Sequence, residues 1–151
     1  LRGSAGVGFG DRNNPFTNFF FGGFGNNYID YQSEKRFREY YSFPGVELNS
    51  IAGTNFGKAQ IEWILPPVRF KSVGTSSFFL TWINPTLFAS TITTNIDDAD
   101  LQNNYYNAGV QLDFRFNLLS HLKLTFSAGV AFAFRESLHP EKELMFSLKI
   151  L

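Results

Sequence analysis

The residues that could carry catalysis or bind a transition metal are few and scattered. Cysteine is absent, and of the two histidines His121 falls in a tight turn and His139 in an external loop. The absence of cysteine excludes disulfides and thiolate metal sites, and two isolated histidines do not make a structural zinc site. The sequence offers no convincing nucleophile with a base and no paired carboxylates. We therefore expect no enzyme, no metal and no cofactor.

Two further motifs offer weaker chemistry. Asp97, Asp98 and Asp100 provide oxygen ligands that calcium would accept, but they lack the glycine turn and the distant glutamate of an EF-hand. A solvated acidic loop is the favoured interpretation. The glycine-rich run at residues 6–10 resembles a phosphate-binding motif, yet no helix follows it to supply a dipole. Small residues inside a crowded barrel explain this run better.

Aromatic residues are unusually frequent. The chain of 151 residues has 19 Phe, 6 Tyr and 2 Trp, which together make up 18% of its residues. This share suits a lipid-facing wall with interfacial girdles better than a small soluble core. The formal net charge is zero, so neither a nucleic acid nor another polyanion is expected as a partner. The candidate girdle residues, for which core packing is the alternative, are Trp63, Trp82, Tyr105 and Tyr106.

Two long stretches, residues 105–118 and 122–135, alternate between apolar and polar side chains. Successive side chains of a strand point to opposite faces, so a sheet with lipid outside and water inside has this pattern. Each stretch exceeds the about 5–6 residues of an ordinary strand and reaches the about 9–11 needed to cross a membrane. Asp113 and Arg115, two positions apart on one strand, are a candidate ion pair of the barrel lumen.

The rest of the chain supplies further predicted strands and loops. Pro66 and Pro67 end one strand, and a short connection through residues 69–74 leads to the next, in which Pro85 predicts an irregularity. The remaining predicted strands cover residues 1–9, 16–25, 55–65, 76–89 and 143–151, and the long loops cover residues 26–54, 90–104 and 136–141.

The connections alternate between long and short when counted back from the last residue. Bacterial outer-membrane barrels have short periplasmic turns and longer external loops, and they use an even number of strands. Since about seven strands are counted, we predict one partial domain over residues 1–151. It is an all-β, antiparallel transmembrane β-barrel portion, the C-terminal part of a larger barrel with further strands and a signal peptide upstream.

Short motifs frame the loop of residues 26–54. Phe19-Phe20-Phe21-Gly22-Gly23 precedes it, and Gly53-Thr54-Asn55 and then Ile61-Glu62-Trp63-Ile64-Leu65-Pro66 follow it. The series resembles the phenylalanine-glycine-glycine, glycine-glycine-asparagine and glutamate-aromatic-proline motifs of the bacterial surface antigen superfamily, the outer-membrane protein assembly factors and two-partner-secretion transporters. It implies a sixteen-stranded Gram-negative outer-membrane barrel in which this loop joins the eleventh and twelfth strands. The chain end is similar to the family's terminal assembly signal in its apolar residues Leu144, Phe146, Leu148 and Ile150.

One departure from the family concerns the tip of this loop. The family has an arginine-glycine-aromatic tip that reaches into the lumen and pairs with acidic wall residues. The nearest match here is Phe43-Pro44-Gly45-Val46, in which Pro44 replaces the arginine and carries no charge. This loss puts transport and insertase activity in doubt. The candidates for a replacement ion pair are Arg36 or Arg38 as the cation and Glu62 or Asp113 as its partner.

Two functional classes remain open. In the first, the barrel inserts or exports unfolded outer-membrane or secreted client proteins, and its last strand templates an incoming strand. In the second, the barrel is an anchor or plugged pore for an upstream periplasmic or surface domain, which the Pro44 tip favours. A soluble lipid-binding β-barrel is a third alternative. The expected partners are outer-membrane lipid, upstream strands and domains of the same chain, and client proteins.

Overall fold

The computed structural model describes residues 1–10, 14–26, 35–119, 121–135 and 140–150, with the backbone alone for Ser72. These residues form nine strands and two 3₁₀ turns, Pro15–Thr17 and Arg36–Arg38, and contain no α-helix. The all-β prediction is confirmed. His139 and parts of the predicted loops at residues 26–54 and 136–141 lie outside the described residues. The strands are β1 (Arg2–Val7), β2 (Phe19–Phe21), β3 (Ile51–Gly53), β4 (Asn55–Ile64), β5 (Val68–Thr75), β6 (Phe78–Thr94), β7 (Asn103–Leu118), β8 (Leu122–Arg135) and β9 (Glu141–Ile150).

Seven of the strands form one antiparallel sheet. Its order is β1-β4-β6-β7-β8-β9, and β5 also pairs with β6. β4 pairs with residues 86–94 of β6 and β5 with residues 78–83, so both lie along the same edge of β6. Since β4 and β5 share one edge of β6, the seven strands occupy six positions across the sheet. Within the described residues the free edges of β1 and β9 pair with no other strand, so the sheet is open and does not close into a barrel.

The prediction that residues 16–25 form a wall strand is wrong. Only Phe19–Phe21 forms a strand, and it pairs with β3 in a separate two-stranded sheet. Three consecutive phenylalanines leave no polar side that could face water. Phe21 is fully buried, with its ring centroid 4.6 Å from that of Phe56 on β4. The segment is therefore held by packing against the sheet and does not extend it.

The predicted short connection after the two prolines is also wrong. The chain resumes beyond Pro67 as β5, which pairs along the same edge of β6 as β4, and it turns at residues 76–77. The prolines therefore end β4 but do not end the pairing along this edge of β6. β6 is longer than predicted and continues to Thr94 instead of ending at Ala89. The extra residues pair with β4 on one side and β7 on the other, and this pairing outweighs their polar composition.

Pro85 lies within β6 without a bulge, and the irregularity of this strand falls at Thr81, where the register to β7 shifts. The Pro85 carbonyl accepts a hydrogen bond from the Leu65 N–H at 3.0 Å, so it faces the β4 side. In a strand the N–H and C=O of one residue point to the same side. The N–H that Pro85 lacks would therefore point to the gap between β4 and β5. No hydrogen bond between β6 and β7 is lost.

The sheet has two chemically different faces. We call the face covered by residues 19–25 and 35–54 the inner face and the opposite one the outer face. Gln111, Asp113 and Ser127 are almost fully buried on the inner face, while Phe126 and Phe146 stand exposed on the outer face. The predicted alternation along β4, β7, β8 and β9 is confirmed by this arrangement.

The connections sort to the two ends of the sheet. The strand ends that the chain connects between β1 and β4, β6 and β7, and β8 and β9 lie at one end, and those between β5 and β6 and between β7 and β8 lie at the other, which we call the short-turn end. The predicted alternation of long and short connections therefore holds for these five, although the short one predicted at residues 69–74 lies instead at residues 76–77. The sixth, predicted near residue 12, lies outside the described residues, and because residues 16–25 do not form a wall strand, β1 pairs with β4 instead.

Candidate functional site

The inner face is occupied by residues 35–54, which we call the inner segment. Its 3₁₀ turn places Phe37 on the sheet, where the ring stacks on Phe88 with centroids 4.1 Å apart and planes 12° apart. Phe43 is fully buried with Phe21, Phe56 and Ile92. Burying such aromatic rings contributes most of the packing energy of a contact of this kind. Polar attachments to β4, β7 and β9 fix the segment in place.

The most buried attachment is an ion pair between Lys35 and Asp113 on β7, whose side chains are 7% and 1% exposed. The Lys35 ammonium also donates to Thr86 Oγ1 at 2.7 Å. The Asp113 carboxylate accepts two further hydrogen bonds, from Gln111 Nε2 at 2.6 Å and Ser127 Oγ at 2.8 Å. A buried ion pair is stable only when its remaining polar atoms are satisfied, and here three groups of the sheet satisfy them.

A second ion pair joins the inner segment to β4. Arg38 donates through Nε to Glu62 Oε2 at 2.9 Å and through Nη2 to Oε1, which makes a two-bond contact between guanidinium and carboxylate. Both side chains are partly exposed. The sequence named Arg38 and Glu62 as a candidate pair, and the structure contains this pair. The other candidate cation, Arg36, packs beside Gly25, and the other candidate acid, Asp113, pairs with Lys35.

The loop tip lies against β7 and β8. The Pro44 carbonyl accepts a hydrogen bond from Asn107 Nδ2 on β7 at 2.8 Å. Gly45 has a φ of +104°, and a Cβ there would stand 2.7 Å from the Ala133 backbone nitrogen. Only glycine permits both this conformation and this close approach. Pro44 therefore contributes a carbonyl acceptor and a fixed backbone at the loop tip.

Glu143 ties the inner segment to the last strand. Its carboxylate accepts hydrogen bonds from two backbone donors, Gly45 N and Phe24 N, both at 2.9 Å. Hydrogen bonds to an ionised acceptor are about twice as strong as neutral ones. Through Asp113, Glu62 and Glu143 the inner segment therefore holds β7, β4 and β9 together from inside.

Lys58 on β4 supports the turn between the ion pairs and the tip. Its ammonium donates to the carbonyls of Tyr40 at 3.1 Å and Ser42. Burial, together with the neighbouring Tyr41, raises the pKa of the Tyr40 phenol above its ordinary value. The phenol is therefore neutral throughout the physiological pH range. The hydrogen bonds from Lys58 fix the backbone of the inner segment between Arg38 and Phe43.

The girdle prediction is wrong for two of its four residues. Tyr105 is buried on the inner face, with the Arg135 guanidinium 5.3 Å from its ring centroid. Adjacent strand residues face opposite sides, so Tyr105 and Tyr106 could not both face lipid. Trp82 pairs with Arg115 on the inner face because the shift at Thr81 reverses the alternation of β6. Trp63 and Tyr106 lie exposed on the outer face, where a girdle role stays a prediction.

The remaining predicted residues fall outside this site. Arg115 donates to Thr125 on β8, and the apolar residues of the last strand stand exposed on the outer face. The acidic loop is organised by Asn55, whose side chain accepts from Ile96 N at 2.6 Å and donates to Asp97. No group of three metal-ligating side chains is found in the described part of the chain. The outward residues of β9 are Leu144, Phe146, Leu148 and Ile150.

Sequence reasoning missed Lys35, Asn107 and Glu143 as attachment residues. Each had a signal: Lys35 belongs to the charged run before Phe37, and Asn107 and Glu143 are polar residues at inward positions of strands. Their partners lie 78, 63 and 98 or more positions away in the chain. A periodic pattern reveals the face of a side chain but not its partner at such a distance.

No helix among the described residues is long and apolar enough to span a membrane. Comparisons of the chain with protein-family models, curated proteins and solved structures gave no match.

Proposed function

We propose that this chain is part of the wall of a transmembrane β-barrel of the bacterial outer membrane and that the inner segment is its internal plug. The observation that carries the proposal is the outer face. Many of its large apolar side chains on β4, β7, β8 and β9 are between 37% and 68% exposed, and others, such as Phe114 and Phe116, are partly exposed. Soluble monomers rarely expose contiguous apolar patches of more than a few hundred Å². Lipid is the solvent that such a face requires.

Strand length supports the same conclusion. β6, β7, β8 and β9 have 17, 16, 14 and 10 residues, and crossing the hydrocarbon takes about 9–11 residues of a tilted strand. The covered face, by contrast, holds Asp113, Gln111 and Lys58. A soluble lipid-binding barrel needs the opposite distribution, apolar inside and polar outside, and is therefore not favoured.

The plug role is supported by the attachments of the inner segment to three strands. A loop that only capped a pore would not need buried ion pairs with the wall. Here Lys35, Arg38 and Gly45 each contact a carboxylate of a different strand. Among the functional classes, these contacts favour an anchor or plugged pore.

A second candidate function, insertion or export of outer-membrane or secreted proteins, follows from the resemblance to the surface antigen superfamily. The free edges of β1 and β9 favour it, since an unpaired edge can template an incoming strand. Free backbone groups cannot stay unpaired in lipid, so in a membrane these edges pair with further strands of the same barrel or with a client.

The membrane assignment is tested by refolding the 151-residue chain from urea into phosphatidylcholine vesicles and floating them on a density gradient. We expect the protein to float with the vesicles and to resist carbonate extraction as an oligomer in which the open edges of neighbouring copies pair. When lipid is omitted we expect it to aggregate or oligomerise, because its edges are open. A stable water-soluble monomer that stays at the bottom of the gradient would contradict the proposal.

The two functional classes are separated by depleting the protein from its bacterium and quantifying outer-membrane and periplasmic proteins. Loss of many barrel proteins from the outer membrane indicates an insertase, and periplasmic accumulation of one protein indicates an exporter. If neither changes, the anchor or plugged pore is supported.

A further inference from the structure

The sheet residues around the Lys35 ammonium are held in place by one another. Asp113 Oδ1 accepts hydrogen bonds from Gln111 Nε2 at 2.6 Å and from Ser127 Oγ at 2.8 Å. These three residues and Thr86 are no more than 1% exposed, and all four belong to the strands β6, β7 and β8. The sheet therefore orients the Asp113 carboxylate with its own donors, in addition to the contact with Lys35.

Two acceptors from neighbouring strands converge on the Lys35 nitrogen. The register places Thr86 opposite Gln111, so the Thr86 hydroxyl and the Asp113 carboxylate are diagonal neighbours on the inner face. Lys35 Nζ donates to Thr86 Oγ1 at 2.7 Å and to Asp113 Oδ2. The sheet thus offers a hydroxyl oxygen and a carboxylate oxygen to a single donor atom.

This arrangement selects a primary ammonium among the common cations. Since Asp113 Oδ1 accepts from two residues of the sheet, the carboxylate directs one oxygen, Oδ2, at the cation. A guanidinium forms its best contact with both oxygens of a carboxylate, as Arg38 does with Glu62. Calcium takes about 6–8 oxygen ligands. A primary ammonium is a compact charge with three donors and suits two converging acceptors.

We propose that Thr86 and Asp113 form a binding site for the primary ammonium group of a small amine, and that Lys35 occupies this site as a tethered ligand of the same chemistry. A bound amine and the Lys35 attachment then exclude one another. Because the inner segment covers the site, a small amine fits there and the lysine side chain of a polypeptide does not. The inference rests on the proposed plug only for its consequence, which is that amine binding weakens the attachment of the plug to β7.

The site is tested with Lys35→Ala in the full chain, kept in a neutral detergent. The probe is n-propylammonium chloride, which supplies the atoms that this substitution removes. Urea unfolding is followed by tryptophan emission. We expect the substitution to lower the urea midpoint and the amine to raise it again in a saturable way, restoring about half of the loss, because a ligand of the folded state stabilises it. The unmodified chain, in which Lys35 fills the site, should show no such rise.

Three other solutes serve as controls on Lys35→Ala, each compared with sodium chloride at the same ionic strength. 1-Propanol has a similar shape without the charge, and guanidinium has the charge in a planar fork. An acetylated, amidated Gly-Lys-Gly peptide has the ammonium on a larger molecule. None of the three should raise the midpoint.

Further substitutions in the Lys35→Ala background identify the acceptors. Thr86→Val should raise the amine concentration for half of the effect about tenfold, because it removes a hydrogen bond to a charged group. Its matched control is Thr94→Val, equally buried on β6, which should change that concentration by less than about twofold. Asp113→Asn should abolish the effect of the amine. If Lys35→Ala does not fold alone, the folded yield after refolding with and without the amine replaces the midpoint.

Any of three results would overturn the proposal. One is the absence of a saturable rise, or of a gain in folded yield, when the amine is added to Lys35→Ala. Another is an equal rise with sodium chloride or guanidinium, which would indicate a general effect of salt. The third is an unchanged effect of the amine after Asp113→Asn. An equal rise with the peptide would refute the restriction to small amines. These results are independent of vesicle flotation, whose failure would refute the membrane assignment and leave the amine site standing.

Discussion

The buried ion pair between Lys35 and Asp113 should be the strongest polar attachment of the inner segment. Replacing Lys35 with Met keeps the length of the side chain but leaves the Asp113 carboxylate, which is 1% exposed, without its countercharge. Breaking a buried pair by removing one partner costs about 3–5 kcal/mol. Asp113→Asn should cost a similar amount, because it leaves the Lys35 ammonium buried beside a neutral amide.

The double variant Lys35→Met/Asp113→Asn should be less destabilised than the two single variants added together, since it leaves no buried charge unpaired. The assay is urea unfolding in lipid vesicles, followed by tryptophan emission, for the four members of this cycle. The Arg38 and Glu62 pair provides the matched control. Its side chains are 25% and 12% exposed, so Arg38→Met should cost about 1 kcal/mol.

The critical result is whether Lys35→Met destabilises the protein more than Arg38→Met does. If Lys35→Met costs no more than Arg38→Met, burial does not decide the strength of these pairs and the reasoning is refuted. Additive effects of Lys35→Met and Asp113→Asn would show that the two side chains do not interact.

Further predictions concern the tip, the last strand and the outer face. Gly45→Ala should lower the free energy of unfolding by about 2 kcal/mol or more, because Gly45 has a positive φ and a Cβ would meet the Ala133 backbone. It should also speed trypsin cleavage after Arg38. Gly3→Ala, where a Cβ meets only an atom at 3.9 Å, should change neither the stability nor the cleavage rate. Glu143→Ala should leave Phe24 N and Gly45 N without an acceptor, at about 1–3 kcal/mol each, and should release the inner segment to trypsin, whereas the exposed Glu141→Ala should not. Phe146→Arg on the outer face should reduce the yield of vesicle insertion, since an arginine facing mid-bilayer lipid costs about 2–4 kcal/mol, whereas Ser147→Arg on the inner face should insert normally. If a variant and its control variant behave equally, the contact or the lipid exposure inferred for that residue is contradicted.

The strands that the sequence predicts best are those whose environment is set by a single rule. In β7 and β8 each residue has either a covered or an exposed side, so alternation alone gives both their extent and their faces. Asp113 and Arg115 were assigned to one face of their strand for this reason, and the structure places both on the inner face. Arg38 with Glu62 was one of the four candidate pairs, because a lumenal cation and a lumenal acid were expected near each other, but the sequence did not select it from the other three.

The errors arose where tertiary contacts override the pattern. Phe19–Phe21 resembles a strand of the wall, but its burial against Phe56 places it in a separate sheet. β5 follows two prolines that would ordinarily end pairing, yet it continues along β6 because the free edge of that strand is available. Trp82 changed face through the register shift at Thr81, which no local motif announces.

The central claim, that the outer face contacts lipid while the inner face does not, is tested most directly by its two tryptophans. Trp63 lies on the outer face and Trp82 on the inner face, so Trp82→Phe and Trp63→Phe give two proteins with one reporter each. Both are inserted into vesicles containing brominated phosphatidylcholine. We predict strong quenching of Trp63 by the brominated chains and weak quenching of Trp82. Equal quenching of both, or quenching of Trp82 alone, would contradict the account.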